Sequence, residues 1–442
     1  IMAKVITTEL QHSGASGANI TLDSSKNVTC ENNLTVDGTT TLTGAVELPD
    51  DTVDIADLSA TGTASGTTYL RGDNTWATIS TQDTLSYRNK IINGAMQISQ
   101  RHGTSAYAYD SSGKKFTTDR WGLSRSGMTF DVTATQSTDA PAGFHNSLKI
   151  EADTTQTPGA NEVGVINYDI EGQDLQDLEF GHSSAKDITV SFWCKVSANA
   201  VGDYSLQLMY TKESDNSGRS VWKKFTPTTS WARYTLTFPG TGSATSDHIK
   251  VSDSYTGMYL YMFLCAGSGK LAAETDTWAA QGDYRAHTTQ TNFLDSADNE
   301  FYITGVQFEK GSTATDYEHK TYAQELRACQ RYYWGWTAPG TTIGVCNAMA
   351  RTSDLFMSVL RHPVEMRASP TLITSTTAGH HEAVWQNAQG DINASGITTP
   401  GGTYLREYSY PIAGTLNSGS YGTSSLFIQL NGAGTLAFDA EL

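Results

Sequence analysis

Three kinds of side chain in this sequence carry chemistry worth weighing: clustered carboxylates, aromatic rings beside turns, and isolated histidines and cysteines. Asp174, Asp177 and Glu179, and likewise Asp295, Asp298 and Glu300, offer the paired carboxyl groups that glycosidases use. With 46 acidic residues in the chain, chance proximity explains such pairs as well as catalysis does. No nucleophile elbow, phosphate-binding loop, zinc-protease helix or dinucleotide fingerprint accompanies them. No catalytic residue is assigned, and the chain is expected not to be an enzyme. Asp215–Gly218 and Asp295–Asn299 are oxygen-rich turns that suit calcium, but neither has the EF-hand spacing. His380 and His381 are adjacent, so on a strand they point to opposite faces and chelate one ion poorly. No metal ligand and no cofactor is assigned.

The aromatic residues are more informative. Sugars present apolar C–H faces, which flat rings bury while polar neighbours bind the hydroxyls. The chain has 9 Trp and 21 Tyr. Trp222, Trp278, Trp385, Tyr404, Tyr408, Tyr410 and Tyr421 lie near turn-forming residues and are the candidate glycan contacts. Loop packing or a subunit contact is the competing reading for each. Trp193 and Trp231 sit within alternating segments and are read as core.

The elements that must position these rings are mostly strands. Asp187–Val196, Tyr204–Tyr210 and Trp231–Phe238 alternate polar and apolar residues at period two. Met258–Leu264 is apolar on both faces, as a strand buried between layers requires. These runs predict a two-sheet β-sandwich over 85–320. Thr321 with Gln324 forms a capping-box pattern, and Tyr322, Leu326, Cys329 and Tyr333 make one apolar stripe. A connecting helix is therefore expected over 321–333, followed by a C-terminal β domain over 334–442.

Residues 1–48 contain short alternating segments at Asn19–Asp23, Asn27–Cys30 and Asn33–Asp37, and residues 49–84 read as a neck. Tyr69 is the first aromatic residue, and 1–84 hold 3 basic and 11 acidic side chains. A segment so poor in rings buries little apolar area alone and needs partners, most simply copies of itself. The net charge of −17 disfavours binding to nucleic-acid phosphates. No apolar run is long enough for a membrane helix, and Met2–Glu9 lacks the apolar core of a signal peptide. The five cysteines are widely spaced, which suits folding in a reducing cytoplasm.

Several segments, taken together, resemble one family. Tyr87–Arg101, which contains Asn93-Gly94-Ala95, and Thr118-Asp119-Arg120-Trp121 resemble the opening of a domain common in tail fibres of tailed bacteriophages. Ile303–Glu318 resembles its close, Glu325–Tyr333 the helix that follows, and Pro363–Thr371 part of the next domain. Leu58–Trp76 is similar to a phage-fibre neck. Ile188–Val196 and Ser230–Phe238 resemble strands of jelly-roll carbohydrate-binding modules. The resemblance implies an all-β, elongated multidomain homotrimer located in the virion tail and assembled in the host cytoplasm. Residues 1–48 would attach it to phage tail or adaptor proteins, and the distal domains would bind a host surface polysaccharide. A tailspike-like depolymerase and a purely structural fibre are the alternatives.

Overall fold

The computed structural model describes residues 9–10, 20–22, 28–30, 61–63, 65, 68–78, 87–109, 113–242, 248–252, 255–279, 283–350, 355–375, 377, 380–385, 388–391, 409–415 and 425–442. The chain folds as two units, Ile1–Thr81 and Gln82–Leu442. In the first, Glu9–Leu10, Ile20–Leu22 and Val28–Cys30 form an antiparallel sheet, and Thr68–Leu70 pairs with Trp76–Thr78. Two of the three expected N-terminal strands are thus present. The third, at 33–37, and the expected turn at 49–59 lie outside the described residues.

The second unit is built on two six-stranded sheets. Its strands are β1 (Tyr107–Tyr109), β2 (Lys115–Phe116), β3 (Gly122–Ser126), β4 (Val132–Ser137), β5 (Ser147–Ala152) and β6 (Val163–Glu171). They continue as β7 (Ile188–Val196), β8 (Tyr204–Thr211), β9 (Gly218–Phe225), β10 (Ala232–Phe238), β11 (Thr256–Ala266) and β12 (Glu300–Lys310). The first sheet has the order β10-β7-β12-β5-β4-β1 and the second β9-β8-β11-β6-β3-β2, all antiparallel. This is an all-β sandwich of the jelly-roll type. Its core is the set of inward positions of both sheets, among them Phe192, Leu206, Leu260, Phe301 and Ile303. Each such side chain contributes about 1.5–3 kcal/mol of burial. β11 lies in the middle of the second sheet, and both faces of its apolar run are used. Met258, Leu260, Met262 and Leu264 enter the main core, while Tyr261 and Phe263 pack in a second cluster on the outer face.

The expected helix is present as α1 (Tyr322–Gln330), and both arms of the Thr321/Gln324 capping box are formed. Its buried face differs from the expected stripe. Tyr322 is exposed, and Glu325 turns inward with Cys329. The reason is a polar demand: Glu325 Oε2 accepts the Asn93 N–H at 2.7 Å. Beyond α1, a three-stranded sheet (Tyr333–Thr337, Thr435–Asp439, Thr371–Thr374) and a six-stranded sheet enclose a small core with Phe356, Leu360, Ile428, Leu430 and Phe438.

The segments that carry the family resemblance meet at the junction between this C-terminal part and the sandwich. Thr118, Asp119, Arg120 and Trp121 are all buried. The Arg120 guanidinium pairs with Glu441, donates to Asp169 O at 2.6 Å and lies 3.5 Å from the Tyr332 ring centroid. Arg101 bridges Asp439 at 3.0 Å and Glu441 at 3.3 Å. Glu171 takes Arg331 and the Tyr332 hydroxyl. Trp121 Nε1 donates to Asn93 O at 3.0 Å. These residues hold the molecule together and present no open surface. Among the described residues, no helix is long and apolar enough to cross a membrane.

Candidate functional site

The two sandwich sheets differ in what lies over their outer faces. On the second sheet that face is mostly covered: Gln207, Phe263, Asn167, Asp169 and Trp222 are all at least nine-tenths buried. Trp222 is 6% exposed and Trp278 packs edge-on against Phe180 and Tyr210, with its Nε1 donating to Pro239 O at 2.7 Å. Trp222 is covered by the chain that crosses the sheet, its Nε1 donating to Ala272 O at 3.4 Å, whereas Trp278 is partly buried, as Trp193 and Trp231 are. Trp385 and Tyr410 lie in strands whose side chains fall outside the description, and Tyr404, Tyr408 and Tyr421 lie outside the described residues.

The first sheet's outer face is likewise buried at Thr189, Ser191, Thr304, Gln307 and Glu309, and it carries partly buried aromatic residues toward one end. On β7, Ile188, Val190, Phe192, Cys194 and Val196 point into the core. Thr189, Ser191, Trp193 and Lys195 therefore point out. Trp193 and Trp231 are only partly buried, which corrects their reading as core. Sequence phase would have shown it. Trp193 falls in step with Ser191 and Lys195, and Trp231 with Arg233, Thr235 and Thr237.

Register turns these positions into a row across the sheet. Lys195 pairs with Tyr302, and Tyr302 with Lys149. Trp231 stands at the head of β10, beside the Ala232–Cys194 pair. The order is thus ring, ammonium, ring, ammonium, with the Tyr302 ring itself 8% exposed and so contributing mainly its edge. Lys195 Nζ lies 5.5 Å from the Trp231 centroid and 4.6 Å from that of Tyr302; Lys149 Nζ lies 5.6 Å from Tyr302 on its other side. Such contacts contribute about 0.5–1 kcal/mol each at partly exposed sites. A bulge in β12, with Gly305 at φ 61°, faces the β7 segment that ends at Trp193. A Cβ on Gly305 would stand 2.6 Å from Phe144 Cζ and 3.0 Å from Trp193 Cδ1, so glycine lets both rings lie there.

Carboxylates fix the row. Lys149 bridges Glu151 and Glu300 at 2.7 Å each, and the Tyr302 hydroxyl donates to Glu300 at 3.0 Å. Asp139 pairs with Lys195 and accepts Trp231 Nε1–H at 3.0 Å. These bonds hold the Asp139 carboxyl below its ordinary range. Partial burial opposes ionisation of Glu300, but Lys149 and Tyr302 outweigh it and hold that carboxyl low as well. Burial, with the Glu300 contact, pushes the Tyr302 hydroxyl up to about 12. The face therefore presents two partly buried indoles in a frame of two ammoniums and three carboxylates.

Of the candidate carboxylate trios, Glu300 belongs to this frame, while other members are tied elsewhere. Asp177 is tied to Lys90 at 3.0 Å and Lys310 at 3.5 Å, and Asp295 to the Asn299 amide at 2.8 Å. The Asp215 turn is closed by Lys212 and the Ser217 N–H, both at 2.9 Å. Among the described residues, no group of three or more His, Cys, Asp or Glu is placed to hold a metal ion.

No protein-family model and no curated protein matches the sequence. Solved structures do. The enzymatically active domain of tailspike protein 4 from bacteriophage CBA120 matches at 13% identity over 51% of this chain and 22% of its own, with a TM-score of 0.27. A xylan-binding domain from Paenibacillus barcinonensis matches at 12% identity over 48% of this chain and 98% of its own, TM-score 0.23. A putative sugar-binding protein from Bacteroides thetaiotaomicron matches at 10% identity over 50% of this chain and 99% of its own, TM-score 0.28. The chain thus spans about a fifth of the tailspike and nearly all of the two sugar-binding structures.

Proposed function

We propose that this protein is a trimeric tail fibre of a bacteriophage that binds a host surface glycan without cleaving it. The observation that carries the binding role is the outer row Trp231–Lys195–Tyr302–Lys149 with Trp193 beside it. Indole faces cover the apolar side of a pyranose, and fixed ammonium and carboxylate groups at their rims bind its hydroxyls. The charges are already paired, so the site is preorganised, and little ordering is lost on binding. The fibre reading rests on the ordered sequence segments from Leu58 to Thr371 and on an N-terminal segment poor in rings. Multiple copies raise the avidity of a weak site without new contacts.

Hydrolysis is the second reading, because Glu151 and Glu300 face one another across β5 and β12. The frame argues against it. Lys149 sits between them, and Glu300 is held low, so it keeps no proton to give a leaving group at neutral pH.

The test is binding to a panel of purified bacterial capsular and O-antigen polysaccharides by affinity electrophoresis. Retardation by at least one polymer, weakened about tenfold by Trp231→Ala, is expected, in line with the 1–2 kcal/mol of a ring anchor. Polymer length should stay constant on prolonged incubation. Shortening of the polymer would move the assignment to a depolymerase.

A further inference from the structure

The covered face of the second sheet holds a group of residues that sugar binding does not use. Lys114, just before β2, reaches over β3 to β6. Its Nζ lies 2.7 Å from Asp169 Oδ2 and 3.0 Å from Leu442 O. Asn167 stands two residues from Asp169 on the same strand face, with 2% exposure against 4% for Asp169. The Asn167 amide nitrogen donates to Gly122 O at 3.1 Å and Ser124 Oγ at 3.0 Å. Its oxygen then faces Lys114 Nζ at 3.0 Å. Gly122, between them on β3, is what permits the approach. A Cβ there would stand 2.9 Å from the Asn167 amide and 3.1 Å from Lys114 Cε. The Phe116 ring lies 4.7 Å from Nζ on the other side.

We propose that Lys114 and Asn167 become joined by an intramolecular isopeptide bond, with Asp169 as the proton carrier. The ingredients are an amine, a carboxamide and a carboxylate in van der Waals reach, with Asn167 and Asp169 buried and the Lys114 side chain 20% exposed. Burial lowers the Lys114 ammonium below its ordinary value, although Asp169 opposes this, so the free amine is more accessible than in water. One Nζ proton passes to Asp169, and the Nζ lone pair attacks Asn167 Cγ. The Cγ–Nδ2 bond then breaks. The departing nitrogen takes the proton held by Asp169 and a second from Nζ, and leaves as ammonium. Nothing is oxidised or reduced. The product ties the edge strand β2 to the central strand β6 across β3, a covalent lock on a part of the sheet that a fibre under tension would otherwise open first.

Intact-mass spectrometry of the denatured full chain tests it. The wild type is expected about 17 Da below its sequence mass, one ammonia lost. Tryptic mapping should yield one branched peptide joining Lys114 to Asn167, with no cleavage after Lys114. Lys114→Arg and Asp169→Ala should both return the full mass. The wild-type reading does not depend on whether either variant folds. A wild-type chain at full sequence mass with linear peptides overturns the proposal. So does a loss of about 18 Da mapped to Asp169, which would make the aspartate the acceptor and exclude Asn167.

Discussion

At the scale of single residues, the outer row of the first sheet is a problem of phase. Alternation along Ile188–Val196 and Trp231–Phe238 was legible in the sequence, and so was the assignment of both as strands. The size and apolarity of Trp193 and Trp231 suggested the core, but register overrules composition: a side chain one position out of step goes to the other face. Tyr302 is read the same way, in step with Glu300 and Thr304. Trp222 shows the converse, since no local pattern announces the chain that covers its outward-facing ring. The row also has a definite pH response. Asp139 and Glu300 have lowered carboxyl values, so the stability they lend the frame is in place above the ordinary carboxylate value of about 4 and is lost as pH falls through their lowered values. Tyr302 stays protonated up to about 12. Glycan affinity should therefore be flat from about pH 5 to 9 and fall only in stronger acid. A midpoint near neutrality in a pH series of binding isotherms would point to a histidine that this row does not contain.

At the scale of elements, the junction shows where sequence reading stops. The capping box of α1 was visible because Thr321 and Gln324 are three residues apart. The Arg120–Glu441 pair was not, because 321 residues separate its partners. A separation of 232 residues likewise hid the inward turn of Glu325 toward Asn93. The Thr118–Trp121 motif was legible as a resemblance, but its place in a buried clamp between the sandwich and the C-terminal part is visible only in three dimensions. Glu441→Ala leaves the Arg120 guanidinium, 1% exposed, without its carboxylate. Removing one partner of a buried pair costs about 3–5 kcal/mol. Chemical denaturation should show that loss, and proteolysis should release the C-terminal part first. A variant within 1 kcal/mol of wild type would mean that Asp169 O and the Tyr168 and Tyr332 rings suffice for Arg120. Glu441 itself is held below its ordinary carboxyl range: burial opposes its charge, but Arg120 and Arg101 outweigh it. Its contribution is therefore present at neutral pH and lost on acidification.

At the scale of the whole molecule, a ring-poor N-terminal segment precedes a sandwich whose first sheet carries two partly buried tryptophans on its outer face. If copies supply the packing that the N-terminal segment lacks, the solution mass by light scattering should be close to three times the 47.7 kDa chain. Deleting residues before Leu85 should weaken assembly; a stable monomer would instead favour a free sugar-binding protein. The net charge of −17 suits solubility at high copy number and leaves recognition to short-range contacts. The most direct test of the central claim is calorimetric titration of the intact protein with the best-bound polysaccharide of the panel. Wild type would be compared with Trp193→Ala/Trp231→Ala and with Trp385→Ala, a ring of the C-terminal part. The account predicts that the double variant loses about 100-fold or more in affinity, two ring anchors together, while Trp385→Ala binds as wild type. Undiminished binding by the double variant, or loss confined to Trp385→Ala, would contradict it and move the glycan site off the sandwich.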